Sequence, residues 1–260
     1  MIRAGFIGVG GISGVHLRYL KSRNDVHIVA LCDSNDDNRN KKISEFGGKG
    51  YADFTKMLDN EKLDAVWICT PPQVRESPII ECIKRGIPVF CEKPVERDLK
   101  RAEKINKQIK KYKSKVQIGY LFRSMPIVQK LKTIMADDKI HLVHSFYSCN
   151  VSISRTLPAW FYDKSRSGGA IVDQATHNLD LLRMLMGEVV AVKGFSANPV
   201  SAKSKRYTVE EVFALSFIFA SKALGSHVHT WVGDTWRNEI VLTGEKRLYR
   251  INSGNGTLII

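Results

Sequence analysis

The 260-residue chain lacks several features that would assign it to a specialised class. No apolar run is long enough to cross a membrane, and the opening segment is too short and too rich in glycine for the apolar region of a signal peptide. The five cysteines form no C-x-x-C pair, and several lie in apolar, strand-like runs where a free thiol behaves as a small hydrophobe. We therefore expect a reduced, cytoplasmic protein with no membrane partner.

Acidic residues are also scarce, with 26 Asp and Glu against 40 Lys and Arg, which gives a formal net charge of +14. Much of the excess lies in residues 97–115, where apolar side chains recur on one helical face and basic ones occupy the others. This pattern is typical of a solvated amphipathic helix. No nucleic-acid reading motif accompanies the charge, so we expect no nucleic-acid partner, although a basic surface can attract anionic ligands.

The first 120 residues alternate short apolar runs with helical patterns. The predicted strands cover residues 2–8, 26–33, 64–70, 87–92 and 116–120. Helical patterns begin near residues 12, 37, 73 and 98. Strict alternation of this kind predicts an α/β domain over residues 1–120, with a parallel sheet and helices on both of its faces.

From residue 121 the pattern changes to that of an α+β domain with a largely antiparallel, open sheet, extending to residue 260. The predicted helices cover residues 126–136 and about 172–186, the second ending at Gly187. A strand is predicted over 141–154 and a loop over 154–169. Three more strands are predicted. The first covers residues 213–219, where large apolar residues alternate with smaller ones. The second follows a turn at 220–222 and runs through residue 231, and the third covers residues 239–243.

The turn after the first predicted strand carries small residues in the spacing G-x-G-x-x-S, at Gly8, Gly10 and Ser13. Such a turn between a strand and a helix lets a pyrophosphate approach the backbone at a helix N-terminus. Asp33 follows Ser13 by twenty residues at the end of the second strand, where a carboxylate can accept hydrogen bonds from ribose hydroxyls. Together these features predict a nicotinamide dinucleotide site. Asp33 favours NAD, while Ser34 and Arg39 leave NADP open.

Lys93 lies at the end of an apolar run, in the segment VFCEKPV. Gly8, Asp33, Thr70 and Tyr120 also lie at the ends of predicted strands. Ligands of open α/β sheets bind outside the carboxyl ends of the strands, so the sequence places Lys93 at the edge that carries the glycine turn. Taken alone, Lys93 would by default be interpreted as a surface lysine whose stem packs against apolar neighbours.

The predicted helix near residue 172 carries Asp173, His177 and Asp180 at i, i+4 and i+7, which would place them on one face. Carboxylates on the same face raise the proton affinity of a histidine, as suits a general base. The alternative from this helix alone is a capping aspartate and a histidine satisfied by its neighbours.

Five segments occur in an order that resembles the Gfo/Idh/MocA oxidoreductase family, which includes glucose–fructose oxidoreductase and inositol 2-dehydrogenase. They read GFIGVGGISG, LDAVWICTPPQ, GIPVFCEKPV, GYLFRSMP and SGGAIVDQATHNLDLLRML, and the resemblance runs from about residue 2 to residue 251. In that family the lysine of Glu-Lys-Pro and the aspartate and histidine of the later motif are catalytic. The resemblance therefore implies that Lys93, Asp173 and His177 catalyse hydride transfer between NAD(P) and a secondary hydroxyl of a sugar or cyclitol.

The resemblance also implies two sets of binding residues. Cofactor contacts are expected at Gly8, Gly10, Gly11, Ile12, Asp33, Thr70, Pro71 and Glu92. Substrate contacts are expected at Tyr120, Arg123, Trp160 and Asp180. Residues 1–120 would bind the dinucleotide, and residues 121–260 would bind substrate and form a homo-oligomer, a dimer or a tetramer, through the sheet.

The sequence departs from the family pattern in three places. Arg75 stands where the family usually has a histidine after Thr-Pro-Asn-x-x, which leaves the cofactor contacts there open. Ser13 takes the place of the third glycine of the fingerprint. The chain ends at Ile260, whereas relatives usually continue, so this is either a short member or a chain whose end is missing.

Two alternatives remain from the sequence. The same fold serves regulators that bind a dinucleotide without turnover, although such proteins can dispense with the lysine and histidine that are present here. His227 and His229 occupy alternate strand positions and could share a ligand, but no third ligand type is evident nearby. We therefore expect no metal site.

Overall fold

The computed structural model describes residues 1–154, 157–200 and 207–260. By its internal contacts the chain divides into two compact units, Met1–Gly119 and Tyr120–Ile260. The first contains a six-stranded sheet and the second a seven-stranded sheet. Within the described ranges, no helix has both the length and the apolar character that a bilayer span requires.

The sheet of the first unit has the strand order β3-β2-β1-β4-β5-β6, and all of its pairs are parallel. Its strands are β1 (Ile2–Ile7), β2 (Val26–Cys32), β3 (Lys49–Tyr51), β4 (Ala65–Ile68), β5 (Val89–Cys91) and β6 (Val116–Ile118). The order reverses between β1 and β4, and connections that diverge at such a point leave a crevice at the carboxyl ends of the strands. The predicted parallel α/β arrangement is confirmed.

Three of the five helices of the first unit, the second, third and fifth, begin at side chains that accept backbone hydrogen bonds. The five helices are α1 (Ser13–Lys21), α2 (Asp36–Phe46), α3 (Phe54–Asn60), α4 (Glu76–Lys84) and α5 (Leu99–Tyr112). The N-caps Asn35, Asp53 and Asp98 bind the amides of Asn38, Thr55 and Arg101, respectively. The short β3 and α3 are absent from the sequence prediction, and α4 begins at residue 76 rather than 73 because a 3₁₀ turn (Pro72–Val74) precedes it.

Two hydrophobic clusters lie on the two faces of this sheet. Adjacent residues Phe6 and Ile7 of β1 belong to different clusters, because successive side chains of a strand point to opposite faces. Ile105, on the apolar face of α5, is buried in the same cluster as Ile7. Because both faces of this sheet are covered by apolar packing, its strands read as continuous apolar runs.

The second unit has the strand order β13-β12-β11-β7-β10-β9-β8, antiparallel except for the β7–β10 pair. The strands are β7 (Ile140–Ser148), β8 (Val189–Ala197), β9 (Val212–Phe219), β10 (Leu224–Thr230), β11 (Arg237–Gly244), β12 (Leu248–Asn252) and β13 (Thr257–Ile259). The helices are α6 (Pro126–Ile134), α7 (Val151–Ser154), α8 (Lys164–Ser167), α9 (Gly169–Asp173) and α10 (Thr176–Met186). The predicted α+β class is therefore confirmed.

Two sequence predictions between residues 141 and 169 are wrong. The strand predicted to residue 154 ends at Ser148, because the chain turns into α7, where the amide of Ser152 binds the carbonyl of Trp231. The loop predicted over 154–169 contains a 3₁₀ turn (Ala159–Tyr162) and α8, while its residues 155 and 156 lie outside the described residues. Both errors arise where short helical turns are fixed by contacts distant in sequence.

The helix-bearing face of the second sheet contains a buried polar cluster. His227 Nδ1 lies 3.0 Å from Ser145 Oγ, and His227 Nε2 lies 3.2 Å from His229 Nδ1. The His229 ring is stacked between Tyr147 and Phe213, at centroid distances of 4.5 and 4.8 Å. Burial lowers the pKa of His227 to about 4, helped by the charge of His144, and burial beside His227 lowers the pKa of His229 well below its usual value.

These two histidines make the stability of the second unit depend on pH. Since their folded-state pKa values are lowered, the unfolded chain binds more protons below about pH 6.5, and stability falls as the pH falls from there towards 4. Between pH 7 and pH 5, the free energy of unfolding of the wild type should fall by about 2 kcal/mol more than that of His229→Phe. Hydrogen exchange of the β10 amides measures this difference, and an equal loss in the variant would contradict it.

Candidate functional site

The glycine turn between β1 and α1 has the backbone geometry that its sequence predicts. Gly8 has φ +83°, and its amide binds the carbonyl of Cys32 at 2.8 Å. A Cβ on Gly8 would lie 2.7 Å from the backbone nitrogen of Thr70, whereas a Cβ on Gly10 or Gly11 would meet no atom within 4 Å. The turn is thus tightly packed on its sheet side and open at Gly10 and Gly11, as an approaching pyrophosphate requires.

Two matched substitutions separate folding from cofactor binding in this turn. We expect Gly8→Ala to destabilise the protein by about 1–3 kcal/mol, since an L-residue is strained at this positive φ and its Cβ meets backbone. We expect Gly10→Ala to leave the melting temperature unchanged and to weaken NAD binding about tenfold or more, because its methyl group occupies open space needed by the ligand. Calorimetry measures both, and wild-type NAD affinity in Gly10→Ala would contradict the assignment.

Asp33, directly after β2, ties the glycine turn to the start of α2. Its carboxylate accepts the amides of Val9 at 2.8 Å and of Asn35 at 2.9 Å, one on each oxygen. Each oxygen keeps a second lone pair that a ribose hydroxyl could use. Arg39 donates to the Asp33 carbonyl at 2.7 Å and pairs with Asp36 at 2.7 Å, so its guanidinium is held at this edge by an acidic neighbour.

The residues at this edge fit a nicotinamide dinucleotide. Thr70 follows β4, and its buried hydroxyl oxygen has no hydrogen-bond partner within the described part of the chain. Pro71 leads directly into the 3₁₀ turn, and Ile12 is the exposed residue that precedes α1. An unsatisfied hydroxyl beside an open glycine turn is the arrangement a polar ligand completes.

Glu92 and Lys93 follow β5 at the same sheet edge. Glu92 Oε1 lies 2.7 Å from His16 Nε2 of α1, and Glu92 Oε2 accepts the backbone amide of Lys93 at 3.1 Å. Burial is the largest influence on the Glu92 carboxyl and by itself raises its pKa. The hydrogen bond with His16 and the charges of His16, Lys93 and Arg75 together outweigh burial, so the pKa of Glu92 is lowered. Glu92 is therefore a buried anion, and its partner His16 is a residue that the sequence interpretation missed.

The predicted single helix over 172–186 is two helices, α9 and α10, separated by Gln174 and Ala175. Asp173 ends α9 and His177 lies in the first turn of α10, so the two residues belong to two helices rather than to one. The break is fixed by Gln174, which donates to Tyr147 Oη at 2.8 Å and accepts a hydrogen bond from Trp231 Nε1. These partners are distant in sequence, so helical spacing could not reveal them.

Asp173 is almost fully buried, and the His177 ring lies against two aromatic residues. Its centroid is 6.4 Å from that of Tyr120, edge to face, and 5.1 Å from that of Phe122. Thr176 Oγ1 lies 3.5 Å from Tyr120 Oη. The structure thus brings Tyr120 beside His177.

Arg123 and Asp180, both predicted to bind substrate, form a bidentate ion pair. Arg123 Nε and Nη2 lie 2.6 and 2.7 Å from the two carboxylate oxygens of Asp180. The hydrogen bonds that Arg123 donates to Asp180 raise the pKa of Arg123. Trp160 is on another element, the 3₁₀ turn Ala159–Tyr162, where its ring contacts Phe161 edge to face. The structure therefore pairs Arg123 with Asp180 and shows no such pairing for Trp160 among the contacts it describes.

Within the described ranges, no three His, Cys, Asp or Glu residues are grouped so that they could hold a metal ion. His227 and His229 share a side of β10, as their spacing predicts, and bind each other and Ser145.

Comparisons with known proteins cover both units. Residues 2–120 match the family described as an oxidoreductase family with an NAD-binding Rossmann fold, and residues 128–250 match the GFO/IDH/MocA C-terminal domain. The chain is 28% identical over 72% of its length to the rhizopine catabolism protein MocA of Rhizobium meliloti, covering 57% of that protein. It is 28% identical over 73% of its length to myo-inositol 2-dehydrogenase of Thermotoga maritima, covering 56% of that protein.

Solved structures show the same fold. The WlbA dehydrogenase of Chromobacterium violaceum, in complex with NADH and UDP-GlcNAcA, matches 97% of this chain and 74% of its own at 26% identity, with a TM-score of 0.86. In the two sequence matches above, the chain spans little more than half the length of its curated relatives. The two family matches together cover nearly all of the chain. The chain therefore belongs to the Gfo/Idh/MocA oxidoreductase family.

Proposed function

We propose that this protein is an NAD(P)-dependent dehydrogenase or reductase that acts on a secondary hydroxyl or ketone of a sugar, a cyclitol or a sugar derivative. One observation carries the proposal. The open glycine turn, the Asp33 carboxylate, the unsatisfied Thr70 hydroxyl and the Glu92–Lys93 segment all follow strands of one parallel sheet at its carboxyl edge. That edge is where ligands of this architecture bind.

The bound nicotinamide would supply the hydride acceptor or donor. Gly8, Gly10, Gly11, Ile12, Asp33, Thr70, Pro71 and Glu92 would hold the dinucleotide. Both oxygens of Asp33 already accept amides, and the carboxylate would repel a 2′-phosphate, which favours NAD. Arg39 at the same edge keeps NADP possible, although its pairing with Asp36 offsets part of its charge.

Three side chains would carry out the chemistry, in the roles that the family pattern implies. His177 would take the proton of the substrate hydroxyl while its carbon loses a hydride. Lys93, a donor only, would hydrogen-bond the reacting oxygen and stabilise the negative charge that develops on it. Asp173 would orient His177 and balance the charge of the imidazolium.

The substrate class rests on the relatives' names and on the polar side chains around His177. The relatives include enzymes named for myo-inositol and for glucose 6-phosphate. We propose that Tyr120, Arg123, Trp160 and Asp180 contact the hydroxyl groups of a polyhydroxylated substrate. The Arg123–Asp180 pair presents donors and acceptors together, as a ring of hydroxyl groups requires.

We also propose that the protein is a homo-oligomer, a dimer or a tetramer, assembled through the open face of the second sheet. Phe213, Phe217 and Phe219 face the core, while the opposite face carries a row of paired residues across five strands: Leu248, Thr243, Leu142, Leu224 and Ile218. Its four apolar members are roughly half exposed. A second copy would cover this face. Light scattering tests this, and a mass near the monomer value of 29.3 kDa would contradict it.

The cysteines support a reducing, cytoplasmic location as part of the proposal. All five are free and buried, at Cys32, Cys69, Cys82, Cys91 and Cys149. Burial raises the pKa of the Cys82 thiol to about 12, so it remains protonated and unreactive.

The proposal is tested by following nicotinamide absorbance with NAD and NADP across polyols, aldoses, inositols and nucleotide sugars. Turnover with any substrate supports the enzyme and identifies its preferred cofactor. Tight dinucleotide binding without turnover across the panel would favour a sensor that binds the cofactor and does no chemistry.

A further inference from the structure

Arg75, the residue that departs from the family pattern, is a buried cation at the carboxyl edge of the first sheet. Its relative exposure is 4%, although it precedes α4 on a connection. A guanidinium removed from water is costly unless its donors are satisfied. The partners of Arg75 therefore indicate what the residue does.

Among the described residues, the hydrogen-bond partners of the Arg75 side chain are backbone carbonyls. Its Nε donates to the carbonyl of Thr70 at 2.7 Å, and its Nη1 donates to the carbonyls of Glu92, at 2.6 Å, and of Pro94. Thr70 follows β4, whereas Glu92 and Pro94 follow β5. Arg75 thus links the ends of two neighbouring strands and binds the residues on both sides of Lys93.

This arrangement depends on the planar fork of a guanidinium. Donors at the two ends of one rigid group can hold two chain segments at a fixed separation, which a single ammonium or imidazole donor cannot reproduce. Arg75 therefore fixes the backbone of residues 92–94, and with it the Cα from which the Lys93 side chain extends.

We propose that Arg75 is a positioning residue that holds Lys93 in place for the reaction, an inference that rests on the catalytic role proposed for Lys93. It acts through the carbonyls of Glu92 and Pro94 and is not itself proposed as a cofactor contact. The usual histidine of the family would give only part of this linkage, so this chain has a more rigid Lys93 segment than a chain with histidine there.

The test compares Arg75→Met, Arg75→Lys and Arg75→His with Arg85→Met. Arg85, at the other end of α4, makes ion pairs with Asp59 and Glu81. Arg85→Met is the control, because this substitution also removes a guanidinium. We expect Arg75→Met to lower kcat about 100-fold, because a displacement near 1 Å of a catalytic group has effects of that size. The dissociation constant of NAD should rise by no more than about tenfold, less than the fall in kcat, because Thr70 and Glu92, whose carbonyls Arg75 holds, are also proposed cofactor contacts. Arg75→His should recover part of kcat.

A second readout does not depend on turnover. The rate at which a small amine-reactive reagent acylates Lys93, measured by mass spectrometry, reports the environment of the side chain. The rate for the exposed Lys110 serves as the reference. We expect Arg75→Met to change the relative rate about threefold or more, and Arg85→Met to leave it unchanged. If Arg75→Met fails to fold, Arg75→Lys and Arg75→His provide the same comparison.

The two readouts separate the possible failures. A wild-type protein without turnover, whose Lys93 reactivity nevertheless responds to Arg75, would overturn the proposed function and leave the linkage intact. An active wild type whose kcat and Lys93 reactivity are both unchanged in folded Arg75 variants would overturn the positioning role. A loss of NAD affinity with unchanged kcat would also overturn it, because Arg75 would then act on the cofactor.

Discussion

Replacing Lys93 by methionine is expected to lower kcat by about 10³-fold, the effect of removing one donor aimed at a developing oxyanion. Methionine has a similar length and no donor, so the loss reports the ammonium group rather than the space it fills. Glu92 Oε2 accepts the backbone amide of Lys93, a hydrogen bond that methionine keeps, so the 92–94 segment should keep its conformation in the variant. The dissociation constant of NAD should therefore change by less than about threefold.

The control for this variant is Lys110→Met, which removes an exposed lysine from α5 in the same unit. It should keep wild-type kcat and KM. Steady-state kinetics and calorimetric NAD binding provide the two measurements. If Lys93→Met keeps more than about a tenth of the wild-type kcat, the lysine is not the donor to the reacting oxygen.

The second large effect is expected for His177→Gln, which should lower kcat by about 10³-fold through loss of the general base. Glutamine keeps hydrogen-bonding capacity but cannot take a proton. The remaining rate should rise with hydroxide concentration, because solvent base then has to remove the substrate proton. A pH profile of kcat thus distinguishes a lost base from a disturbed fold.

His141→Gln is the matched control, since His141 is a half-exposed histidine of β7 in the same unit that pairs with Glu245. It should keep both the rate and the shape of the pH profile. Asp173→Asn should reduce kcat less than His177→Gln, because it removes an orienting charge and leaves the base. A folded His177→Gln variant with the wild-type pH profile would exclude His177 as the base.

The sequence predicts the first unit well because its signals are local. Apolar runs bounded by turns mark β1 and β2, and the G-x-G turn requires the positive φ that Gly8 adopts. Short elements escape prediction, since β3 has three residues and its pairing with β2 is a tertiary contact. A pattern of so few residues cannot distinguish a strand from a turn.

The site residues that the sequence misses are those whose roles depend on distant partners. His16 lies on α1 and meets Glu92, 76 residues later. Gln174 divides the predicted helix in two because Tyr147 and Trp231 bind its side chain. Arg75 is visible in the sequence only as a departure from a family pattern, and its three carbonyl partners give it a role.

The proposed reaction passes a hydride directly between substrate carbon and nicotinamide. Its most direct test supplies the oxidised cofactor with polyols, aldoses and inositols that carry deuterium on their hydroxyl-bearing carbons, and measures the mass of the reduced cofactor. We predict that one deuterium appears in the reduced nicotinamide, and that Lys93→Met slows its appearance. Cofactor that binds but acquires no deuterium from any of these compounds would contradict the claim.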